Sequence, residues 1–383
     1  MPYIRALLIA LVFTPFTLSQ AEEGNTREFE SKVRNVWPIE VINQYGDIDV
    51  QGWSLDKIRI QVTTTRINGP SAESETERSD FLSEFPPPGL QSLTFDKRYT
   101  FKVKLDGKKN KSLKFSEKLK TSWKVDLKIF APFTLKLKLW SDAYSVSVSK
   151  WRNEVDIRSS SGEMKLEQIR YLNNKHFVYC LNCKKITIDQ FYGSLQLTTG
   201  TSDLSIQNSE FEKLFWDSQG GMLLGESIKG DKLNFITQSG SAKLKDISGF
   251  ILFKSRTGSL FLDSKIEHGL SAYTDTGDIT IHVANPNTPA LKLLAESVSG
   301  NVQLNLPSQY RSKLTVKGNV SGEKLKEKFP IIFIEPRLAT QMEGWLGKPQ
   351  KFISSTEWIL VSEKGSIEIL EQSKGPAKIQ HQN

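Results

Sequence analysis

One short pattern returns about every 19 residues along this chain and limits what it can fold into. It reads apolar-x-apolar, four residues, a small residue that is usually Gly, then x-apolar-x-apolar. SSSGEMKL (159–166), TQSGSAKL (237–244), SRTGSLFL (255–262) and TDTGDITI (274–281) show its second half. With the small residue as anchor, an array runs through Tyr144, Gly162, Lys184, Ser202, Gly221, Gly240, Gly258, Gly277 and Gly300. Single copies stand at Gly46 and Gly365. The anchor is Gly in eight of the 11 copies, and of their 44 apolar slots only Gly225 fails, so the pattern is more than the chain's general apolar content.

Within a copy the apolar slots alternate with polar residues, the two-residue period of a strand buried on one face. Leu260 and Leu262 share one face; Ser259 and Phe261 share the other. Gly at the anchor suits a turn with positive φ, or a close approach of two backbones. No sustained helical stripe with caps follows the N-terminus. Two all-β architectures fit. Each copy can be one coil of a parallel β-solenoid, or each can be a β-hairpin in a meander or propeller, whose blades run to about 40 residues. The constant short period favours the solenoid. The expected fold is therefore a parallel β-solenoid with coils of about 19 residues, preceded by an N-terminal strand region with a long insertion.

The runs GDIDV (46–50), SSSGEMKL, TDTGDITI and VSGNVQLNLP (298–307) resemble a bacterial adhesin-like family of β-strand-repeat envelope proteins of unknown function. The resemblance covers Gly46–Val50 and roughly residues 135–307. It implies export or attachment to the envelope, and it supplies no catalytic residues. Lys184 and Tyr144 depart from the pattern by replacing Gly, as does the long insertion.

The chain divides into a signal peptide (1–21), N-terminal strands with the first copy (22–65), an insertion (66–130), the solenoid (131–325) and C-terminal capping strands (326–383). Arg5, the apolar run Ala6 to Phe16 and the small-x-small site Ser19-Gln20-Ala21 read as a secretory signal. That run is too short for a transmembrane segment. The expected location is periplasmic, on the outer surface, or secreted.

Cys180 and Cys183, the only two cysteines, can form a local disulfide or remain thiols; a redox C-x-x-C would want a helix N-terminus in a βαβ unit. Zinc would need four ligands, and no second pair lies nearby. His176, His268, His282 and His381 show no metal-ligand spacing and read as surface or connector residues. HExxH, GxSxG, a P-loop and GxGxxG are absent, so no catalytic, cofactor or metal residues are assigned. A carbohydrate-active β-helix enzyme is the alternative. It would need carboxylates about 5–9.5 Å apart on adjacent coils. In the outward slot after the anchor, Asp203 and Asp278 stand four coils apart, roughly 19 Å at the strand spacing. Tryptophans at 53, 123, 140, 151, 216, 345 and 358 read as core or cap residues.

The insertion carries the charge. SAESETERSDFLSE (71–84) is acidic and Pro86-Pro87-Pro88 follows it, which reads as a loop. Residues 95–140 then hold 14 Lys/Arg and four Asp/Glu, a net +10 in a chain of net +8. Lys102 and Lys104 alternate with apolar residues before an Asp106-Gly107 turn, Lys108 and Lys109 follow it, and Lys136 and Lys138 repeat the pattern. Such lysines solvate a face and protect edges, or they meet an anionic envelope polymer, lipid head groups or another envelope protein. Nucleic acid fits poorly, because Arg is scarce beside Lys. A non-catalytic, adhesin-like binding or scaffolding role is the leading expectation.

Overall fold

The alternating slots become strands, and the strands stack in parallel. The computed structural model describes residues 25–32, 38–43, 46–66, 101–105, 123–142, 144–264, 268–283, 292–306, 312–320, 331–338, 341–346 and 357–371. Residues before each anchor build a first sheet; 233–237, for example, lies between 214–218 and 251–255. Residues after the anchor build a second sheet, in which 241–245 lies between 222–226 and 260–263. Each strand therefore pairs with its counterpart in the next copy, as in a solenoid, rather than with the other strand of its own copy. A narrow third ribbon follows the connectors through 170–171, 192–193, 210–211, 229–230 and 248–249.

The inward slots form one apolar core. Leu197, Trp216, Phe235 and Phe253 stack behind the first sheet, and Ile206, Leu244, Leu262 and Ile281 behind the second, all buried. The failed slot at Gly225 leaves no hole: a β-carbon there would press on Leu244 and Ile228. The register at Gly221 puts Leu223 inside and leaves Met222 exposed.

The corner between the two sheets explains the anchor. Three residues ahead of it stands a buried Ser or Thr whose hydroxyl works in both directions. The amides of Gly240, Gly258, Gly277 and Gly300 donate to Thr237, Ser255, Thr274 and Ser297 at 2.8, 2.8, 3.0 and 2.9 Å. Thr274, Ser297 and Ser362 donate in turn to the carbonyls of Gly258, Gly277 and Gly300, one coil back, at 3.1, 2.9 and 3.0 Å. Stacked this closely, a β-carbon on Gly258, Gly277 or Gly300 would overlap the preceding anchor's carbonyl oxygen. Close backbone approach is thus the main reason for glycine. Gly162 and Gly221 add a positive φ of 93° and 92°.

Both ends of the stack abandon chain order. At the N-terminal end Phe101–Leu105 lies outside Ile39–Asn43, and 127–132 pairs outside Ile48–Trp53. The described strands of the insertion therefore add a coil, whereas the acidic loop and the rest of the expected hairpin lie outside the described residues. Lys57–Arg66 and Asn25–Lys32 extend the second sheet in antiparallel fashion. At the other end Ser312–Val320 lies outside Glu357–Glu371, and antiparallel Gln341–Leu346 and Ile331–Leu338 extend the first sheet.

Candidate binding surface

One coil breaks the rule. Cys183 pairs with Gly162 and Lys185 pairs with Glu163, so Lys184 is an extra residue, and the anchor is Cys183 rather than Lys184. Cys180, in register with Ser159 and Thr199, fills the slot of the corner hydroxyl. Here a disulfide between Cys180 and Cys183, with Cα atoms 5.7 Å apart, replaces the hydroxyl–amide bond. A one-residue slip turns every side chain to the opposite face. Phe177 and Tyr179, read from sequence as inward, are outward and 40% and 42% exposed. His176, read as a surface residue, is inward and 1% exposed. It packs edge-on to Phe191, centroids 4.9 Å apart, and neither ring nitrogen has a well-formed hydrogen bond. Burial pushes its pKa down to about 4, against a smaller opposing pull from the Tyr171 backbone and the Glu154 charge.

The acids of the outward slot fasten coils together. The Asp203 carboxylate accepts the Met222 amide at 2.8 Å, and that of Asp278 accepts the Asn301 amide at 2.7 Å. Ser241, Ser259 and Asn301 serve the next coil in the same way at 3.1, 3.0 and 3.0 Å. At the N-terminal end Asp126 accepts the Asp47 amide and Asp47 accepts the Ser145 amide, both at 2.8 Å, with the Lys124 ammonium 2.5 Å from Asp47 and 3.1 Å from Asp126. The slot in which an enzyme of this architecture would carry its carboxylates holds backbone amides instead. Among the described residues no three His, Cys, Asp or Glu side chains converge as a metal site.

The lysines singled out from sequence divide. Lys136 and Lys138 are exposed, and Lys136 pairs with Glu154 at 3.0 Å. Across the first sheet Lys102, Glu40, Lys138 and Asp156 stand in one register row, so acids alternate with the bases. Lys104 shares its strand with Lys102, while Lys108 and Lys109 lie outside the described residues. Opposite charges side by side stabilise a sheet and reduce its outward field.

A second cationic surface was missed. Lys213 and Lys232 are register neighbours on adjacent coils, and Lys175 stands two coils before Lys213 in the same row, beyond Ser194. All three are exposed, and none has an ion-pair partner among the described residues. With Gln196, Phe215 and Asn234 they line a groove of about 320 Å³. The neighbouring Glu212 accepts the Ser194 hydroxyl at 3.0 Å. The available signal was the spacing: Lys213 and Lys232 are one period apart.

The sequence matches the family model Toastrack DUF4097 over residues 93–328. No curated protein matches it. Among solved structures, the crystal structure of a "putative cell adhesion protein" from Clostridium sporogenes aligns over 91% of this chain and 100% of that one, at 8% identity. Its TM-score is 0.16, so the two shapes differ too much for that likeness to carry an argument. The family match spans well over half of the sequence, includes the array from Tyr144 to Gly300, and agrees with the stacked coils: the chain belongs to the Toastrack DUF4097 family.

Proposed function

We propose that this chain is an exported, adhesin-like protein of the bacterial cell envelope that binds or scaffolds without catalytic turnover. Its partner is an anionic envelope polymer. The observation that carries the reading is the groove of Lys175, Lys213 and Lys232. Like charges stacked on neighbouring strands destabilise a sheet, and here no carboxylate within the described residues forms an ion pair with them. An anionic partner would. The lysines of the N-terminal coil, Lys102, Lys104, Lys136 and Lys138, form the second proposed contact, and Lys108 and Lys109 join it on the sequence reading alone. Export rests on the signal-like residues 1–21, and among the described residues no helix is long and apolar enough to cross a membrane.

The test is retention on immobilised anionic glycopolymer and on anionic vesicles across a salt series. Attraction between exposed charges weakens as the Debye length falls to about 8 Å at physiological ionic strength. Charge reversal of Lys175, Lys213 and Lys232 to Glu should release the protein, and reversal of Lys136 and Lys138 should weaken retention less. Retention that survives both reversals and high salt would discard the electrostatic reading.

A further inference from the structure

A different side of the rod carries a more specific feature. Six successive coils leave the second sheet through a corner residue in the left-handed region: Lys150 (φ 55°), Gln168 (55°), Gln190 (52°), Asn208 (48°), Ser227 (55°) and Asp246 (52°). Short polar side chains suit that conformation, and the later coils use them. The first three of these six place long Lys and Gln side chains there instead, where the backbone gains nothing from them. Strain of this kind is retained where the side chain has another use.

Those three corners line one groove of about 380 Å³, together with Trp53, Phe133, Arg152 and Arg170. The Arg152 amide donates to Phe133 O at 2.9 Å and the Arg170 amide to Trp151 O at 2.8 Å, which sets the two arginines on successive coils, about 4.8 Å apart along the rod. Each guanidinium is steadied by a ring: Arg152 lies 4.7 Å from the Phe133 centroid and Arg170 4.8 Å from that of Tyr192. Neither has an ion-pair partner among the described residues, and neither does Lys150. Nearby acids are engaged elsewhere, Glu154 with Lys136 at 3.0 Å, Glu167 with Lys165 at 2.7 Å and Asp189 with the Asn208 side-chain amide at 3.0 Å. Two planar five-donor forks, an ammonium and two carboxamides therefore line one groove, the cations without an ion-pair partner among the described residues.

We infer that this groove is a carboxylate-binding site for an acidic glycan of uronic-acid type. The inference rests on the binding-protein reading above and narrows it to one ligand class. The guanidinium fork matches a carboxylate in geometry as well as charge. Every sugar of a uronic-acid chain carries one carboxylate, so a chain lying along the rod has acids to offer both Arg152 and Arg170. Gln168 and Gln190 supply donors and acceptors for the hydroxyls between them. The concave lining suits a single chain better than a flat bilayer.

The experiment is titration of the full chain with alginate oligosaccharide by calorimetry. The parallel arms are neutral dextran oligosaccharide, phosphatidylglycerol vesicles and single-stranded oligothymidylate. Alginate should bind, dextran should not, and Arg152→Gln with Arg170→Gln should weaken alginate binding about tenfold or more while the melting temperature holds. Arg170→Lys, which keeps the charge and loses the fork, should lose part of the affinity. Lys254→Gln with Lys292→Gln, exposed lysines outside both grooves, should change alginate affinity less than twofold, an estimate from the distance-screened charge effect. Three outcomes would overturn the assignment: no alginate binding, alginate affinity unchanged in the double Arg variant, or stronger binding of oligothymidylate or vesicles through the same arginines. If the Arg variants bind as the parent does and only the lysine reversals release the polymer, this site is wrong and the broader binding reading stands.

Discussion

The coil at 170–189 and the coils at 251–283 solve the same corner in different ways. In the later coils Ser255 and Gly258, then Thr274 and Gly277, close it with a hydroxyl and an amide. In the earlier coil Cys180 and Cys183 close it with a covalent bond, and an added Lys184 shifts the register. The later coils bury every apolar slot. The earlier one turns two aromatics into solvent and a histidine into the core. The unpaired lysines and arginines also lie on this coil or within three coils of it. A solenoid copies its coil wherever only stacking matters. Departures from the copy mark places where something besides stacking is selected.

The contrast breaks most cleanly at positions that the repeat alone treats as equivalent. Leu260→Asp puts an unpaired charge into the core and should cost about 4 kcal/mol or more, enough to unfold much of the stack. Phe177→Asp occupies an apolar slot of the same pattern, yet it should cost within about 1 kcal/mol, because the side chain already faces solvent. Urea melts of the two variants decide it; equal losses would restore Lys184 as the anchor. The corner gives the next largest effect. Gly258→Val overlaps the Gly240 carbonyl and should cost about 3 kcal/mol. Ser202→Gly, at an anchor that already holds a side chain, should cost within about 1 kcal/mol through chain entropy alone.

The solenoid was legible because two periods are superimposed in the sequence, one of two residues and one of about 19, and a β-hairpin array cannot keep the second as well as stacked coils do. The slip at Lys184 was not legible. His176 to Tyr179 places an apolar residue in both registers, so Phe177 with Tyr179 fits the pattern as readily as Val178 does. The hydroxyl of the corner stood in plain view in TQSG, SRTG and TDTG, but its role depends on a carbonyl one coil away. The out-of-order ends were hidden for the same reason: Ile39–Asn43 meets Phe101–Leu105 across a long stretch of chain that carries no pairing signal. Lys150, Gln168 and Gln190 recur near the period, yet a left-handed φ cannot be read from a non-glycine residue, so the arginine groove stayed in the connectors.

His176 adds a pH axis to the comparison. Its folded pKa, near 4, lies below the ordinary 6.5, so the unfolded chain takes up the proton first as pH falls. Above about pH 6.5 the residue contributes nothing to the pH dependence. Between 6.5 and 4 stability declines, and below 4 the loss levels off at about 3 kcal/mol, from 1.36 kcal/mol per pH unit. His176→Leu should flatten this part of the curve. Chemical melts at pH 7, 5.5 and 4.5 measure the slope; an unchanged slope in His176→Leu would mean that the ring is not desolvated.

The smallest effects separate coil fastening from chemistry. Ser259 and Thr280 both face outward in the second sheet, and alternation alone makes them equally dispensable. The Asp278 amide, however, donates to the Ser259 hydroxyl at 3.0 Å. Ser259→Ala should therefore cost about 1 kcal/mol, the net worth of one such bond, against within about 0.5 kcal/mol for Thr280→Ala. Asp278 extends the test. It accepts the Asn301 amide through one carboxylate oxygen, and an asparagine side chain offers the same acceptor without the charge. Asp278→Asn should then melt within about 0.5 kcal/mol of the parent, while Asp278→Ala loses about 1 kcal/mol. That order belongs to a fastener, whose task needs an oxygen lone pair and not an ionised acid. If Asp278→Asn proves as costly as Asp278→Ala, the negative charge itself is at work in that slot, and the acid would have to be read as part of a site after all.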